Sequence, residues 1–504
     1  MSGPVARGPR EPPPGRWVAT APAAMYLCFG LYVVALLCVG RFPAVDEVLF
    51  KAAGKEWALR GLFAAPDIVG RLNFDPPITR IYAAYQPIYT FLFGLWVRVF
   101  GFGWRQGCAY DACIHVALCW SAYRLSRALL PARGAWAACA VAIVLLPVGT
   151  DARPDELAMT FGVLALSLGG FGQGARRPWL SGVLWGLCLG TSLPVFGPFA
   201  TIAAVAVVAG GELRRASLWI GLLRTSLLVL AVQIVVWGPI VVTEPRALGQ
   251  FLQHASNASG SPSLFENFPW HWRFTRAAFL PTATAVLAGV LLAGVLVSQG
   301  EGRRAAAIIG GPTLASVLLA AGHNSFYLWF TFPVLLAGLA WALFQARERM
   351  RTRLAVPVLT LVLLGVAVAG QRRVTAMIAL ATLPADQAMD VNAELLRALI
   401  PAGSTVLTAD HWYTLAATHR TLDLDVSTPE QLRQSEFVVL TANFTGGPGL
   451  RRQLAPDMEA ELRAHFEVVS DHLPHDVPRL FGIPLARSSR GFGAIVFRRR
   501  TAAS

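Results

Sequence analysis

"YLCFGLYVVALLCVGRFPAVDEVLFKAAGKEW", residues 26–57, changes character within a few positions of Gly40. The run that began at Trp17 carries no charge as far as Gly40; Arg41, Asp46, Glu47, Lys51, Lys55 and Glu56 then follow in close order. A helix rises 1.5 Å per residue, so about 20 apolar residues cross roughly 30 Å of hydrocarbon. Residues 17–40 meet that length and read as a retained first span, too long and too poor in a small-residue cleavage site for a removed signal peptide. The paired acids at its exit recur in "GTDARPDELAMTF" (149–161), where Asp151, Asp155 and Glu156 edge another apolar run.

The rest of the chain agrees with a membrane reading. Of 504 residues, 55% are hydrophobic and only 14% charged, and the mean hydropathy is +0.52. This places the chain among integral membrane proteins and excludes an ordinary soluble enzyme. The net charge of +14 does not indicate nucleic acid. The cations sit in short clusters between apolar runs (Arg176/Arg177, Arg214/Arg215, Arg303/Arg304, Arg347 to Arg353), as the positive-inside rule requires. All seven cysteines lie at or before Cys188, mostly inside spans, with no disulfide framework or zinc spacing.

Expected spans are 17–40, 105–127, 134–149, 156–174, 179–192, 194–210, 217–242, 277–298, 305–321, 325–345 and 354–371. With the basic clusters in the cytoplasm they give eleven crossings, a cytoplasmic N-terminus and an external C-terminus. "QPIYTFLFGLWVRVFGF" (86–102) is short and contains Arg98, so it is expected as an interfacial helix on the outer leaflet. Residues 179–211 form one uncharged run, which "TSLPVFGP" (191–198) should divide into two short spans. External loops are expected at 41–103, 150–155 and 243–276. Asn257-Ala258-Ser259 in the last is a formal glycosylation sequon of low specificity.

Near Pro384 the composition becomes that of a soluble module. Strand patterns at 404–410, 435–444, 466–473 and 493–500 alternate with helical ones at 387–399 and 456–465. The fold class is therefore an all-α polytopic membrane domain, residues 1–383, followed by a small extracytoplasmic α/β domain, residues 384–504.

Acids at a membrane edge are half desolvated, which makes them plausible general bases. Attack of a hydroxyl on an activated anomeric carbon needs such a base, together with cations for the departing phosphate. Lys51, Lys55, Arg71 and Arg80 share the first loop with Asp46, Arg153 stands beside Asp155, and His271, Arg273 and Arg276 occupy the third loop.

"VDEVLFKAAGKEWALRG" (45–61), "AYQPIYTFLFGLWVRVFG" (84–101) and "RPDELAMTFGVLAL" (153–166) occur in that order, and the first half of the chain thereby resembles the GT-C glycosyltransferase superfamily. It is similar above all to bacterial relatives of protein mannosyltransferases and aminoarabinose transferases. The resemblance implies an inverting hexosyl- or pentosyltransferase in the bacterial cytoplasmic membrane. Such an enzyme takes sugar from a polyprenyl-phosphate donor and passes it to a glycan, lipid or protein acceptor on the outer face. It implies Asp46 as catalytic base, with Glu47 and Asp155 beside it and Tyr85 just before the interfacial helix; with Tyr85, the loop cations Lys51, Lys55, Arg80, Arg153, His271 and Arg273 are the candidates for the donor phosphate or sugar. Some relatives carry cations where this chain has Leu49 and Gln86. No cofactor is called for, a divalent metal is left open, and the partners are donor, acceptor and bilayer rather than nucleic acid.

Blander readings stand beside these. Asp46/Glu47 and Asp155/Glu156 are also good helix starts. Asp111 and His115, one turn apart within a span, suit a structural hydrogen bond better than metal ligation. Trp270 and Trp272 suit interfacial anchoring, and His323-Asn324 an outer turn. His411-Trp412-Tyr413 follows a tail strand, where α/β modules tend to place binding residues. A transporter or lipid flippase is the alternative function, and a non-catalytic assembly protein a third, which predicts that Asp46→Asn is silent.

Overall fold

A computed structural model describes residues 46–71, 81–145, 153–169, 177–214, 216–259, 283–294, 300–322, 325–346, 381–424, 428–441, 454–473, 479–480, 483–484 and 491–500, with scattered further positions. The helical positions described between 23 and 38 fall in the first expected span. The expected span 354–371, Trp270, Trp272, His323 and the candidates Arg80, His271 and Arg273 lie outside the described residues.

Helix α1 (Glu47–Arg60) begins at Asp46, whose side chain makes no cap bond. It is buried nearly all round although it carries Glu47, Lys51, Lys55 and Glu56 on its inner turns. Buried charges persist only when paired, and each of these has an opposite partner, as set out below. Helix α2 (Pro87–Phe100) starts at Gln86 with Pro87 in the first turn, where a missing N–H is harmless. It runs in the same direction as α1: Thr90 bonds the Phe50 carbonyl, Gly94 meets Gly54, and Arg98 bonds the Trp57 carbonyl. Ile88, Tyr89, Phe93 and Val97 face inward, whereas Phe91, Leu95, Val99 and Phe100 are exposed. That two-faced pattern is the one an interfacial helix needs.

The remaining helices of the apolar domain are α3 (Trp104–Leu129), α4 (Ala132–Leu145), α5 (Pro154–Gly169), α6 (Pro178–Leu189), α7 (Leu193–Gly210), α8 (Ala216–Thr243), α9 (Ala247–Ser259), α10 (Ala283–Gly294), α11 (Gly311–Gly322) and α12 (Phe332–Ala346). Among the described residues, three helices are long and apolar enough to cross a bilayer: Leu193–Gly210, Ala216–Thr243 and Tyr327–Gln345. Along α8, residues such as Trp219, Leu223, Leu227, Ile234 and Val235 are exposed, a surface that only lipid can cover at low free energy.

The uncharged run 179–211 does break in two, and its direction is fixed by contacts. Helix α6 runs back along α5, because Arg177 N–H bonds the Leu168 carbonyl, Ser181 the Ala165 carbonyl, and Ser192 reaches Asp155 at the start of α5. Helix α7 then follows α5 in the same sense, with Phe199 against Gly162. The chain therefore reverses at residues 190–192. A core of Met159, Val163, Phe199, Ile202, Ile308, Leu335 and Trp341 joins these helices to α12.

The tail holds α13 (Met389–Leu399), β1 (Thr405–Thr408), α14 (Trp412–Leu415), β2 (Arg420–Asp423), α15 (Pro429–Gln434), β3 (Phe437–Thr441), α16 (Pro456–His465), β4 (Phe466–Asp471) and β5 (Ala494–Arg499). The sheet order is β2-β1-β3-β5-β4. β1 pairs in parallel with β2 and β3, and β5 lies antiparallel to β3 and β4. A reciprocal capping box, Thr428 with Gln431, starts α15. β2, "RTLD", is absent from the sequence expectation; it lies at the sheet edge and offers too few apolar residues to announce itself.

Candidate active site

Three helix N-termini meet at one point. Asp46 precedes α1, Asp155 lies in the first turn of α5, and Ser192 precedes α7. Arg153 ties them together. Its Nη1 donates to Asp46 Oδ2 at 2.9 Å and its Nε to Asp155 Oδ2 at 2.9 Å, while Ser192 Oγ donates to Asp155 Oδ1 at 2.7 Å. The guanidinium lies 5.5 Å from the centre of the Phe50 ring and faces Tyr327. Burial alone would lower the Arg153 pKa, but Asp155 and then Asp46 override it and hold the group above its ordinary value. Each helix start adds a partial positive charge that offsets part of the negative charge of the two carboxylates. Exposure separates those carboxylates: 29% of the Asp46 side chain is accessible against 4% for Asp155, so Asp46 is the one that can meet an incoming group.

The lysines of α1 occupy a deeper layer. Lys51 Nζ donates to Glu47 Oε1 at 2.7 Å, to Asp111 at 2.8 and 2.9 Å, and to the Tyr413 hydroxyl at 3.0 Å. An ammonium has three protons, and these three partners take them up. One turn on, Lys55 meets Asp67 at 2.5 Å and Glu56 at 2.9 Å. Asp67 also accepts from Trp412 Nε1 at 3.0 Å and from Thr421 at 2.9 Å. Glu47 is fully buried here and accepts from Tyr413, so it faces away from the mouth that its neighbour Asp46 lines.

Tyr85 packs edge-on against Phe50, ring centres 4.7 Å apart, and against His254 of α9 at 4.5 Å. It thus extends the aromatic wall under Arg153. Asp111 bonds Lys51 and Tyr89, while His115, one turn away, lies 3.6 Å from Glu156 and packs on Phe29. Sequence reading did not single out Ser192, Asp67 or Tyr327. A helix-starting serine after a broken apolar run was the available signal for Ser192; nothing local marks the other two.

Among the described residues, no group of three His, Cys, Asp or Glu side chains could hold a metal ion. The space between Asp46 and Asp155, where a divalent cation would bridge them, is filled by the Arg153 guanidinium.

No family model matches the chain, and no curated protein does. Solved structures match it almost end to end. ArnT from Cupriavidus metallidurans bound to undecaprenyl phosphate superposes with a TM-score of 0.58 at 14% identity, covering 97% of this chain and 98% of that one. The fold is that of the GT-C glycosyltransferases. An Archaeoglobus fulgidus oligosaccharyltransferase, solved with zinc and sulfate, gives a TM-score of 0.52 at 12% identity, covering 94% and 88% of the two chains. The likeness of fold covers nearly the whole chain, tail included.

Proposed function

We infer that the protein is an inverting membrane glycosyltransferase that moves a sugar from a polyprenyl-phosphate carrier to a hydroxyl-bearing acceptor at the outer face of the cytoplasmic membrane. The observation that carries this reading is the bridge Asp46–Arg153–Asp155 at the meeting of three helix N-termini, within a GT-C fold. The acceptor oxygen forms a bond to the anomeric carbon from the side opposite the carrier. The bond from that carbon to the phosphate oxygen breaks, and its electron pair leaves on polyprenyl phosphate. The hydroxyl proton passes to Asp46, the accessible carboxylate.

Arg153 and the helix starts stabilise the charge that gathers on the phosphate. Asp155, held by Ser192, keeps Arg153 in place. Lys51 and Lys55 hold α1 in register and leave the phosphate to Arg153 and to cations of the first and third loops, Arg80, His271 and Arg273. The apolar chain of the carrier matches the exposed apolar surface of α8, and the positive-inside reading of the basic clusters supports a mouth and tail outside the cytoplasm.

The test is direct. Asp46→Asn in membranes supplied with a radiolabelled polyprenyl-phosphate sugar should lose transfer by about 10²- to 10⁴-fold, the usual worth of a general base. The variant should accumulate and melt like the parent; undiminished transfer would reject the assignment of Asp46 as base.

A further inference from the structure

We propose that Tyr413 of the C-terminal domain is a positioning residue for Asp46, so that the tail is a working part of the active site rather than an appended module. The proposal rests on the glycosyltransferase reading for its kinetic consequence and on geometry alone for its mechanical one.

Trp412 and Tyr413 form the short helix α14 just beyond β1 and are buried against the apolar domain, in one cluster with Val48, Leu49, Phe50, Trp104 and Cys108. The Tyr413 hydroxyl donates to Glu47 and accepts from Lys51. Its ring lies so close to α3 that a Cβ added at Gly107 would fall 2.5 Å from the hydroxyl oxygen. One turn along α1, Trp412 Nε1 reaches Asp67, which binds Lys55. Two adjacent tail residues thus hold two charges one turn apart on the same face of α1.

Asp46 is the residue before Glu47. Its carbonyl accepts the Phe50 N–H at 3.2 Å, which makes it part of the first turn, while its side chain leaves the turn to reach Arg153. The azimuth of that turn is therefore set from two sides, by Tyr413 on Glu47 and by Arg153 on Asp46. Removing the hydroxyl takes from buried Glu47 one of its donors, leaves the Lys51 ammonium to hold it, and so loosens the side of the first turn that faces the tail. Asp46 sits at the edge of that turn. The tail takes no part in the chemistry; it fixes where the base points.

Two assays decide the matter. Tyr413→Phe should lower kcat for sugar transfer on the order of ten- to a hundredfold, the cost of misplacing a catalytic group by about an ångström. KM for the donor should stay within about twofold, and the lost buried hydrogen bonds should lower the melting temperature while leaving the protein folded at the assay temperature. Independently of activity, Asp46→Cys with Arg153→Cys should join efficiently through a short bifunctional thiol reagent when Tyr413 is present, and poorly when Tyr413→Phe is added. An unchanged kcat with unchanged cross-linking overturns the proposal, as does a fall in kcat that merely tracks KM or loss of folded protein at the assay temperature. Should the parent protein itself fail to transfer sugar, the glycosyltransferase reading falls and the cross-link still decides the positioning. If Tyr413→Phe does not accumulate, Gly107→Ala, which displaces the same ring from the membrane side, is read in both assays.

Discussion

Arg153 shows what a planar cation does that a point charge does not. Its Nε and Nη1 reach two different carboxylates at 2.9 Å each, a span set by the rigid fork of the guanidinium. Arg153→Lys can satisfy one acid at a time and should lower transfer even though the charge is kept. Arg153→Met leaves two buried or half-buried carboxylates facing each other, and should cost about 3–5 kcal/mol of stability, the range for stripping a buried pair of one partner. Thermal unfolding in detergent measures that loss, and parallel transfer assays separate it from the catalytic one. Asp46 and Asp155 were legible in the sequence because an acid beside an apolar run is conspicuous. Their partners were less so: Ser192 stands 37 residues from Asp155 and Arg153 stands 107 from Asp46, and only the packing of α1, α5 and α7 brings them together. Lys51 and Lys55 were equally visible as cations near Asp46, but a linear sequence does not reveal that Asp111 and Asp67 engage them.

At the level of elements, the crossing of α1 and α2 depends on two glycines. A Cβ at Gly54 would lie 2.3 Å from the Thr90 carbonyl oxygen, and one at Gly94 2.6 Å from the Trp57 ring. Backbone cannot step aside as a side chain can, so Gly54→Ala should destabilise the protein by about 1–3 kcal/mol or more, read as a lowered melting temperature, and should weaken transfer by moving α1. That residues 86–102 hold one short helix was legible from the length of the apolar run. The division of 179–211 was legible from its prolines and glycine. The reversal at 190–192 was legible too, from basic pairs at both ends of the run; the contacts that hold it, of Ser181, Phe199 and Ser192 with α5, were not. In the tail, the two longer helices and the four longer strands followed their periodicity; the short helices α14 and α15 were not expected, and β2 took its identity from parallel pairing with β1, a partner choice that local pattern does not encode.

For the whole molecule, sidedness and acidity give two further tests. A reporter fused after Thr501 should be active only outside the cytoplasm; activity inside would overturn the eleven-crossing topology. His411 is buried in the tail, and burial pushes its pKa down to about 4, with Asp410 and the Phe492 backbone acting in the opposite direction. The folded state therefore binds the proton less readily than the unfolded one. Stability is complete above about pH 6.5, the unperturbed value, and is lost progressively as the pH falls through the window down to about 4, by on the order of 3 kcal/mol. Melting of the protein between pH 4 and 7, compared with His411→Asn, should show a slope that the variant flattens.

The contact of Tyr413 with Glu47 joins residues 366 positions apart. A ribosome adding roughly 5–20 residues per second finishes α1 tens of seconds before its clasp exists. Throughout that interval the first turn of α1 has no tyrosine over it, and Glu47 waits without that donor. A chain interrupted by a premature stop before Tyr413 would lack this clasp on α1 altogether.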